Sequence, residues 1–254
     1  MKKILTPILV ALTWGAAASA MAQTAAPAAP AEPESTLAFN VGGVSDYRYR
    51  GISQSRKQAA LQGGADYNDK SGFYVGAWGS TIKWITDTPG VTSGNTELDL
   101  YGGYKGTAGD VAYDVGFLRY EYAGNNYKNV GADANTNEVY VAGTLGLFTA
   151  KYSYATSNLF GNINSKGSYY LDLSAALDLG DGYSLTPHVG RQSIVNGAPY
   201  SYNDYALTLG KDLGNGLSAS AAAIGTNALK GSYVYGANNQ LGSSGLVVGL
   251  KYTF

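Results

Sequence analysis

Asp46, Arg48 and Arg50 form a row of charged residues spaced two positions apart. Residues two apart in a β-strand share one face, so these side chains would point the same way. Inside a pore, such a row would form a selectivity constriction for ions or small solutes. The alternative, which we favour, is structural: the two arginines pair with acids of neighbouring strands and fill the interior. The candidate partners are Asp66, Glu97 and Asp99.

Catalytic chemistry has little support, because the sequence contains no cysteine and a single histidine, His188. A barrel-embedded lipid hydrolase would need a serine nucleophile beside a histidine at the lipid-facing rim. His188 has the inward phase of its predicted strand, and no serine–histidine arrangement stands out. A lone histidine without acidic neighbours at ligand spacing is typical of a hydrogen-bonding side chain rather than a metal site. We therefore predict no catalytic residue, no metal and no cofactor.

Strands must position these side chains, and alternation of apolar with polar residues predicts them along most of the chain. Segment 96–104 is the clearest, with Leu98 and Leu100 on one face and Glu97 and Asp99 on the other. The pattern repeats often enough to predict about twelve strands.

The first predicted strand runs through the charged row and ends near residue 50. Its outward face would carry Leu37, Phe39, Val41, Gly43, Tyr47 and Tyr49. With Tyr67 and Phe73, we assign Tyr47 and Tyr49 to the lipid-facing surface and its aromatic girdle.

Three places break the alternation. Trp78 falls on the inward face of the third predicted strand. In the fifth, the apolar phase slips after Phe117, which a β-bulge would explain. Pro187 lacks a backbone donor, so the ninth strand is also predicted to contain a bulge.

Connections between the predicted strands alternate strictly in length. Short links at 68–72, 105–110, 146–147, 178–182 and 210–216 separate long polar links at 51–58, 81–95, 123–137, 156–166, 192–203 and 226–244. This is the rhythm of periplasmic turns and extracellular loops in an outer-membrane barrel. Closure also removes sheet edges, which lipid could not hydrogen-bond. We predict an all-β, closed antiparallel transmembrane barrel; a soluble β-sandwich is the alternative.

The beginning of the chain has the features of a cleavable signal peptide at 1–22. Lys2 and Lys3 precede an apolar stretch, and Ala20-Met21-Ala22 precedes a predicted cut before Gln23. Residues 23–35 form an Ala/Pro-rich periplasmic linker, and 36–254 form the barrel.

Removing the two lysines of the signal peptide changes the formal charge from −1 to −3, which argues against nucleic acid as a partner. Charged residues are 14% of the chain, against about 25% in ordinary soluble domains, as a lipid-facing exterior requires.

The chain ends in a strand that resembles the signal read by the barrel-assembly machinery. Gly249, Tyr252 and the final Phe254 carry the resemblance, whereas Val247 stands where a polar residue is usual. We therefore predict that this machinery is a partner, through the last strand.

Three segments resemble the TorF family of bacterial porin-like proteins, whose function is otherwise unknown. They are SDYRYRGISQS at 45–55, GFYVGAWGS at 72–80 and ELDLYGGY at 97–104. The resemblance implies an outer-membrane porin-like protein and supplies no catalytic residues.

Together these features predict a channel in the outer membrane of a Gram-negative bacterium. Its narrow polar lumen would pass small solutes or ions, with membrane lipid around the barrel. Twelve strands lie between the filled interior of an eight-stranded barrel and the aqueous channel of a sixteen-stranded one. A non-conducting structural or surface-interaction barrel is therefore the main alternative, and lipid hydrolysis is the least favoured one.

Overall fold

The structure, a computed structural model, describes residues 35–236 and 239–254. The predicted signal peptide and the linker up to residue 34 lie outside the described residues, and Ser35 already belongs to the first strand. Twelve strands form the wall: β1 Ser35–Val44, β2 Ala60–Asp69, β3 Phe73–Thr81, β4 Thr96–Ala108, β5 Val111–Tyr122, β6 Thr136–Leu145, β7 Phe148–Ala155, β8 in two segments (Tyr169–Ala175 and Leu177–Gly180), β9 Tyr183–Ser193, β10 Tyr202–Gly214, β11 Leu217–Thr226 and β12 Gly245–Thr253.

Each strand pairs with the next in antiparallel fashion, and the last strand closes the ring on the first. β12 pairs with β1 from Asn40 opposite Thr253 to Val44 opposite Gly249. The closed twelve-stranded barrel that the sequence predicts is therefore confirmed. Its short turns lie at one end, here called the turn end, and its long connections at the other, the loop end.

The two faces of the wall differ as predicted. Leu98 and Leu100 are exposed on the outside, whereas Glu97 and Asp99 on the same strand are buried inside. Tyr67 and Phe73 are likewise exposed, and Trp78 is buried on the inner face. Among the described residues, no helix is long and apolar enough to cross a membrane.

The bulge expected near Phe117 does not occur. β5 pairs without interruption with β4 and with β6, including Phe117 opposite Gly102 and Val139. The phase changes because the apolar residues move to the inner face at the loop end. Leu118, Tyr120 and Tyr122 point inward and are buried, whereas the outward positions carry the partly exposed Arg119 and Glu121.

The bulge expected at Pro187 is also wrong, because β9 pairs continuously with β10 there. The irregularity lies on the neighbouring strand instead. β8 is divided between Ala175 and Leu177, opposite Pro187, although its pairing register with β9 is the same on both sides of the break. The proline has no N–H to donate to β8, so the ladder is interrupted without an added residue.

The largest departure concerns the first strand, which ends at Val44 rather than near residue 50. The chain leaves the wall there and returns at Ala60, the cross-strand partner of Val44. Tyr47 and Tyr49, predicted to face lipid, are drawn inside, and Tyr47 is 1% exposed.

The C-terminal residue takes part in closing the barrel, which generates a prediction. The Phe254 N–H donates to the Phe39 carbonyl at 2.9 Å, the Phe39 N–H donates back at 2.8 Å, and the two rings stack. Deleting Phe254 removes both bonds, so we expect less heat-modifiable folded barrel in outer-membrane fractions on gels. Phe254→Tyr, which keeps the backbone and the ring, is the control. Normal assembly of the deletion variant would contradict this role.

Candidate functional site

Residues 45–59, here called the inward hairpin, fold into the barrel at its loop end. Two short strands, Arg48–Tyr49 and Ile52–Ser53, pair with each other. Between them Arg50 and Gly51 both have positive φ, 47° and 78°. Two consecutive residues of positive φ are typical of the type I′ turn that joins tight hairpins. Most side chains from Asp46 to Ser55 are buried, so the hairpin occupies lumen rather than solvent.

The base of the hairpin is held by Asp46. Its carboxylate accepts hydrogen bonds from Arg48 Nε at 2.7 Å and from Ser53 Oγ at 2.5 Å. Arg48 also donates to the Ser243 carbonyl at 2.7 Å, which joins the hairpin to the last long connection. Arg48 is 3% exposed, so it stabilises the hairpin and does not line a passage.

The tip of the hairpin crosses the lumen and is held by Arg50. Its guanidinium donates to both carboxylate oxygens of Glu138 on β6, at 2.8 and 3.0 Å. The same group donates to Gln192 Oε1 on β9 at 2.6 Å and lies 4.3 Å above the Tyr170 ring of β8. Both bonds to Glu138 come from Nη2, while Nη1 serves Gln192. Hydrogen bonds between ionised groups are roughly twice as strong as those between neutral groups.

Tyrosines hold the sides of the hairpin. The Tyr47 hydroxyl donates to Glu97 on β4, and its ring meets the edge of Trp78. Burial, and then the charges of Glu97 and Asp99, raise the pKa of the Tyr47 hydroxyl well above its ordinary value, so it remains a donor. The Tyr49 hydroxyl lies 2.5 Å from that of Tyr120 on β5.

The structure places all six predicted lumen residues inside the barrel, at two levels. Asp46, Arg48, Arg50, Glu97 and Asp99 lie at the level of the hairpin, with their side chains buried. Asp66 lies nearer the turn end, where it accepts from the Tyr101 hydroxyl at 2.6 Å.

The predicted partners of the two arginines are wrong. Arg48 pairs with Asp46, and Arg50 pairs with Glu138. Glu138 is 88 positions away from Arg50 in the chain, and nothing in the spacing of the sequence links the two residues.

The turn-end half of the lumen is lined differently, by tyrosines that each lie over a glycine of an adjacent strand. A Cβ on Gly76 would fall 2.4 Å from the Tyr101 ring, and one on Gly116 would fall 2.6 Å from the Tyr140 ring. Glycine thus lets each ring lie flat against the wall, where its hydroxyl faces polar groups. Tyr74, for example, donates to Asp114 at 2.7 Å. These inward side chains are only partly buried, so this half of the lumen is open to solvent.

His188 lies inside the barrel, as predicted, but it does have acidic neighbours. Its Nε2 is 2.8 Å from Asp204 and its Nδ1 is 3.1 Å from Asp172, residues that lie on β10 and β8. The Tyr170 hydroxyl also donates to Asp204, at 3.0 Å, so this cluster adjoins the Arg50 contact. Within 35–236 and 239–254, no group of three His, Asp or Glu side chains is placed to hold a metal ion.

The buried Arg50–Glu138 pair generates a prediction about stability. Breaking a buried pair by removing one partner leaves an uncompensated charge, which costs about 3–5 kcal/mol. We expect Glu138→Gln to lower the free energy of unfolding by about this amount, measured by urea titration of barrels in vesicles. Arg50→Met/Glu138→Leu should recover most of the loss.

Arg119→Gln is the matched control, because the Arg119–Glu121 pair is partly exposed. Its loss should cost at most about 1 kcal/mol. Equal losses for Glu138→Gln and Arg119→Gln would show that the hairpin contact is not a buried one.

Known structures share the fold. The NanC porin matches with a TM-score of 0.53 and 12% identity over 86% of this chain and 99% of its own. A KdgM porin in complex with disordered oligogalacturonate matches with a TM-score of 0.52 and 8% identity over 87% of this chain and 99% of its own. The COG4313 outer membrane channel from Pseudomonas putida F1 matches with a TM-score of 0.50 and 11% identity over 91% of this chain and 99% of its own. Identities this low establish the fold alone.

No curated protein matches the sequence detectably. The TorF name is not confirmed by these comparisons and stays a prediction. A family described as "Bacterial protein of unknown function (Gcw_chp)" does match, over residues 27–254. The chain belongs to this family.

Proposed function

We propose that the protein is a porin-like outer-membrane channel for small solutes, with its constriction formed by the inward hairpin. The observation that carries the proposal is the division of the lumen into two halves. The turn-end half is lined by flat tyrosines and solvent-accessible polar groups, whereas the loop-end half is narrowed by residues 45–59. A wide entrance that leads to one narrow, polar level is the arrangement by which channels select solutes.

The location follows from the same barrel. Exposed apolar side chains surround the wall, and a closed ladder leaves no strand edge for lipid to satisfy. Three fold neighbours are described as porins or as an outer membrane channel. Outer-membrane lipid is therefore proposed as the surroundings, and the barrel-assembly machinery as a partner through Gly249, Tyr252 and Phe254.

Charge selection, if the channel conducts, would rest on Arg50 and Glu138 rather than on the Asp46–Arg48–Arg50 row. Arg48 is enclosed by Asp46 and by backbone carbonyls, so a passing ion would not meet it. Arg50 is neutralised by Glu138, and the wider half carries both signs, for example Lys105 and Asp114. We therefore propose that the channel selects solutes mainly by size and only weakly by charge.

A second candidate, a non-conducting barrel, is favoured by one specific observation. The hairpin is tied to opposite parts of the wall, at β4 through Tyr47 and at β6 and β9 through Arg50. A hairpin fixed on several sides could act as a plug, which would leave the external connections as the functional surface.

Replacing the hairpin separates the two candidates. Val44 and Ala60 are cross-strand partners, so a two-residue Asn–Gly turn can join them in place of residues 45–59. In planar-bilayer recordings we expect a small, steady single-channel conductance for the wild type and a larger one for the replacement variant. Lys128→Gln, an exposed change on a neighbouring connection, should match the wild type.

Gly76→Ala provides a second arm if the replacement variant does not fold. The three atoms nearest to the added Cβ all belong to the Tyr101 side chain, so the substitution should push that ring into the lumen and lower the conductance. Gly76→Ala/Tyr101→Ala should restore it. A wild type that never conducts would overturn the channel proposal and leave the plugged barrel. Equal conductance in all variants would overturn the assigned constriction.

A further inference from the structure

A notch interrupts the wall where the chain turns inward. β1 and β2 both stop at the Val44–Ala60 pair. β12, on the other side of β1, begins at Gly245 but pairs with β1 only from Gly249 onward, so its first four residues have no partner in β1. The outer surface therefore has a gap between the first residues of β12 and the Ala60 end of β2.

Backbone groups of Ser45, Val248 and Leu61 at the edges of this notch have partners within the protein. The Ser45 N–H donates to the Val248 carbonyl at 2.8 Å, and the Val248 N–H donates to Ser45 Oγ at 3.0 Å. On the other side the Leu61 N–H donates to Thr81 Oγ1 at 3.1 Å. Backbone groups in contact with hydrocarbon need internal partners of this kind, so the notch is suited to a dry environment.

A pocket of about 580 Å³ fills the notch. Outward-facing Leu61, Val248 and Leu250 form its rim, and Ala60 and Gly249 of the inner face reach its floor. Its other lining residues are Gly43, Val44, Ser45, Ala59 and Thr81. Because residues of both faces line it, the pocket extends from the outer surface of the barrel wall toward its inner face. Its lining is mostly apolar.

The height of the notch identifies what can reach it. Val248 and Leu250 lie four and two residues from Tyr252, which stacks on Phe254 in the aromatic girdle of the turn end. At about 3.4 Å per residue these positions are ~14 and ~7 Å along the strand from the girdle, which is ~11 and ~5 Å in height for a strand tilted by about 40°. The apolar band of a membrane barrel is about 25 Å tall, so the notch opens within this band, where hydrocarbon chains are the surrounding medium.

We infer that the notch binds one acyl chain of a membrane lipid, inserted from the bilayer toward the roots of the inward hairpin. Apolar pockets that exclude water take up apolar ligands, because the lining otherwise loses its dispersion contacts. The inference rests on the membrane location proposed above and is independent of conduction.

Photocrosslinking can test the inference in phosphatidylcholine vesicles that contain a phosphatidylcholine with a diazirine on its acyl chain. Labelled residues are mapped by mass spectrometry. We expect labelling of Ala60, which is 3% exposed, at a level comparable to that of exposed Val141 on the far wall. Gly43→Leu should fill the notch and lower the labelling of Ala60 several-fold, since a Cβ there meets only ordinary contacts of 3.6 and 3.9 Å.

Gly143→Leu is the matched control, because it adds the same side chain to the outer face of β6, where its Cβ would be 3.8 Å from Val111. It should leave the labelling of Ala60 unchanged. Gly43→Val serves if Gly43→Leu does not fold. Labelling of Val141 without Ala60, or labelling of Ala60 that neither filler reduces, would overturn the inference while the membrane location stands. Labelling at neither residue would overturn the membrane location as well.

Discussion

The structure depends on one constraint: backbone N–H and C=O groups that face hydrocarbon must be hydrogen-bonded within the protein. The twelve-stranded ring satisfies this constraint almost everywhere, down to the Phe39–Phe254 pair at its seam. At Val44 the ladder stops and the chain enters the lumen. There Ser45 takes over the role of a neighbouring strand for Val248, so the wall can open without exposing these groups.

The inward hairpin explains the composition of the wall around it. Polar hairpin groups require polar partners on the inner face, and Glu97, Glu138 and Gln192 supply them. Its tyrosines require apolar partners, which accounts for the inward Trp78 and for the inward apolar residues of β5. None of the residues in 35–236 and 239–254 forms such a segment in the turn-end half, and there glycines allow tyrosines to lie flat, so the lumen remains accessible.

Most of the barrel could be predicted from the sequence, because period-two alternation and connection length are local signals. The faces of β4 and the twelve-strand count depend on these signals, and both are confirmed. The hairpin could not be predicted in this way. Asp46, Tyr47, Arg48 and Tyr49 alternate as a wall strand would, and the same alternation suits a strand inside the lumen. What separates the two cases is the positive φ of Arg50 and Gly51 and the distant partner Glu138, and neither is visible in local spacing.

The position of residues 45–59 is the central claim, and a single cysteine tests it most directly. Ser53 is completely buried at the hairpin, and the sequence contains no other cysteine to interfere. In intact outer membranes, Ser53→Cys should react with a charged thiol reagent about 100-fold more slowly than Lys128→Cys on an exposed connection. An opening free energy of ~3 kcal/mol is enough for that difference. Equal reaction rates at the two positions would mean that residues 45–59 form an external loop, and the constriction would not exist.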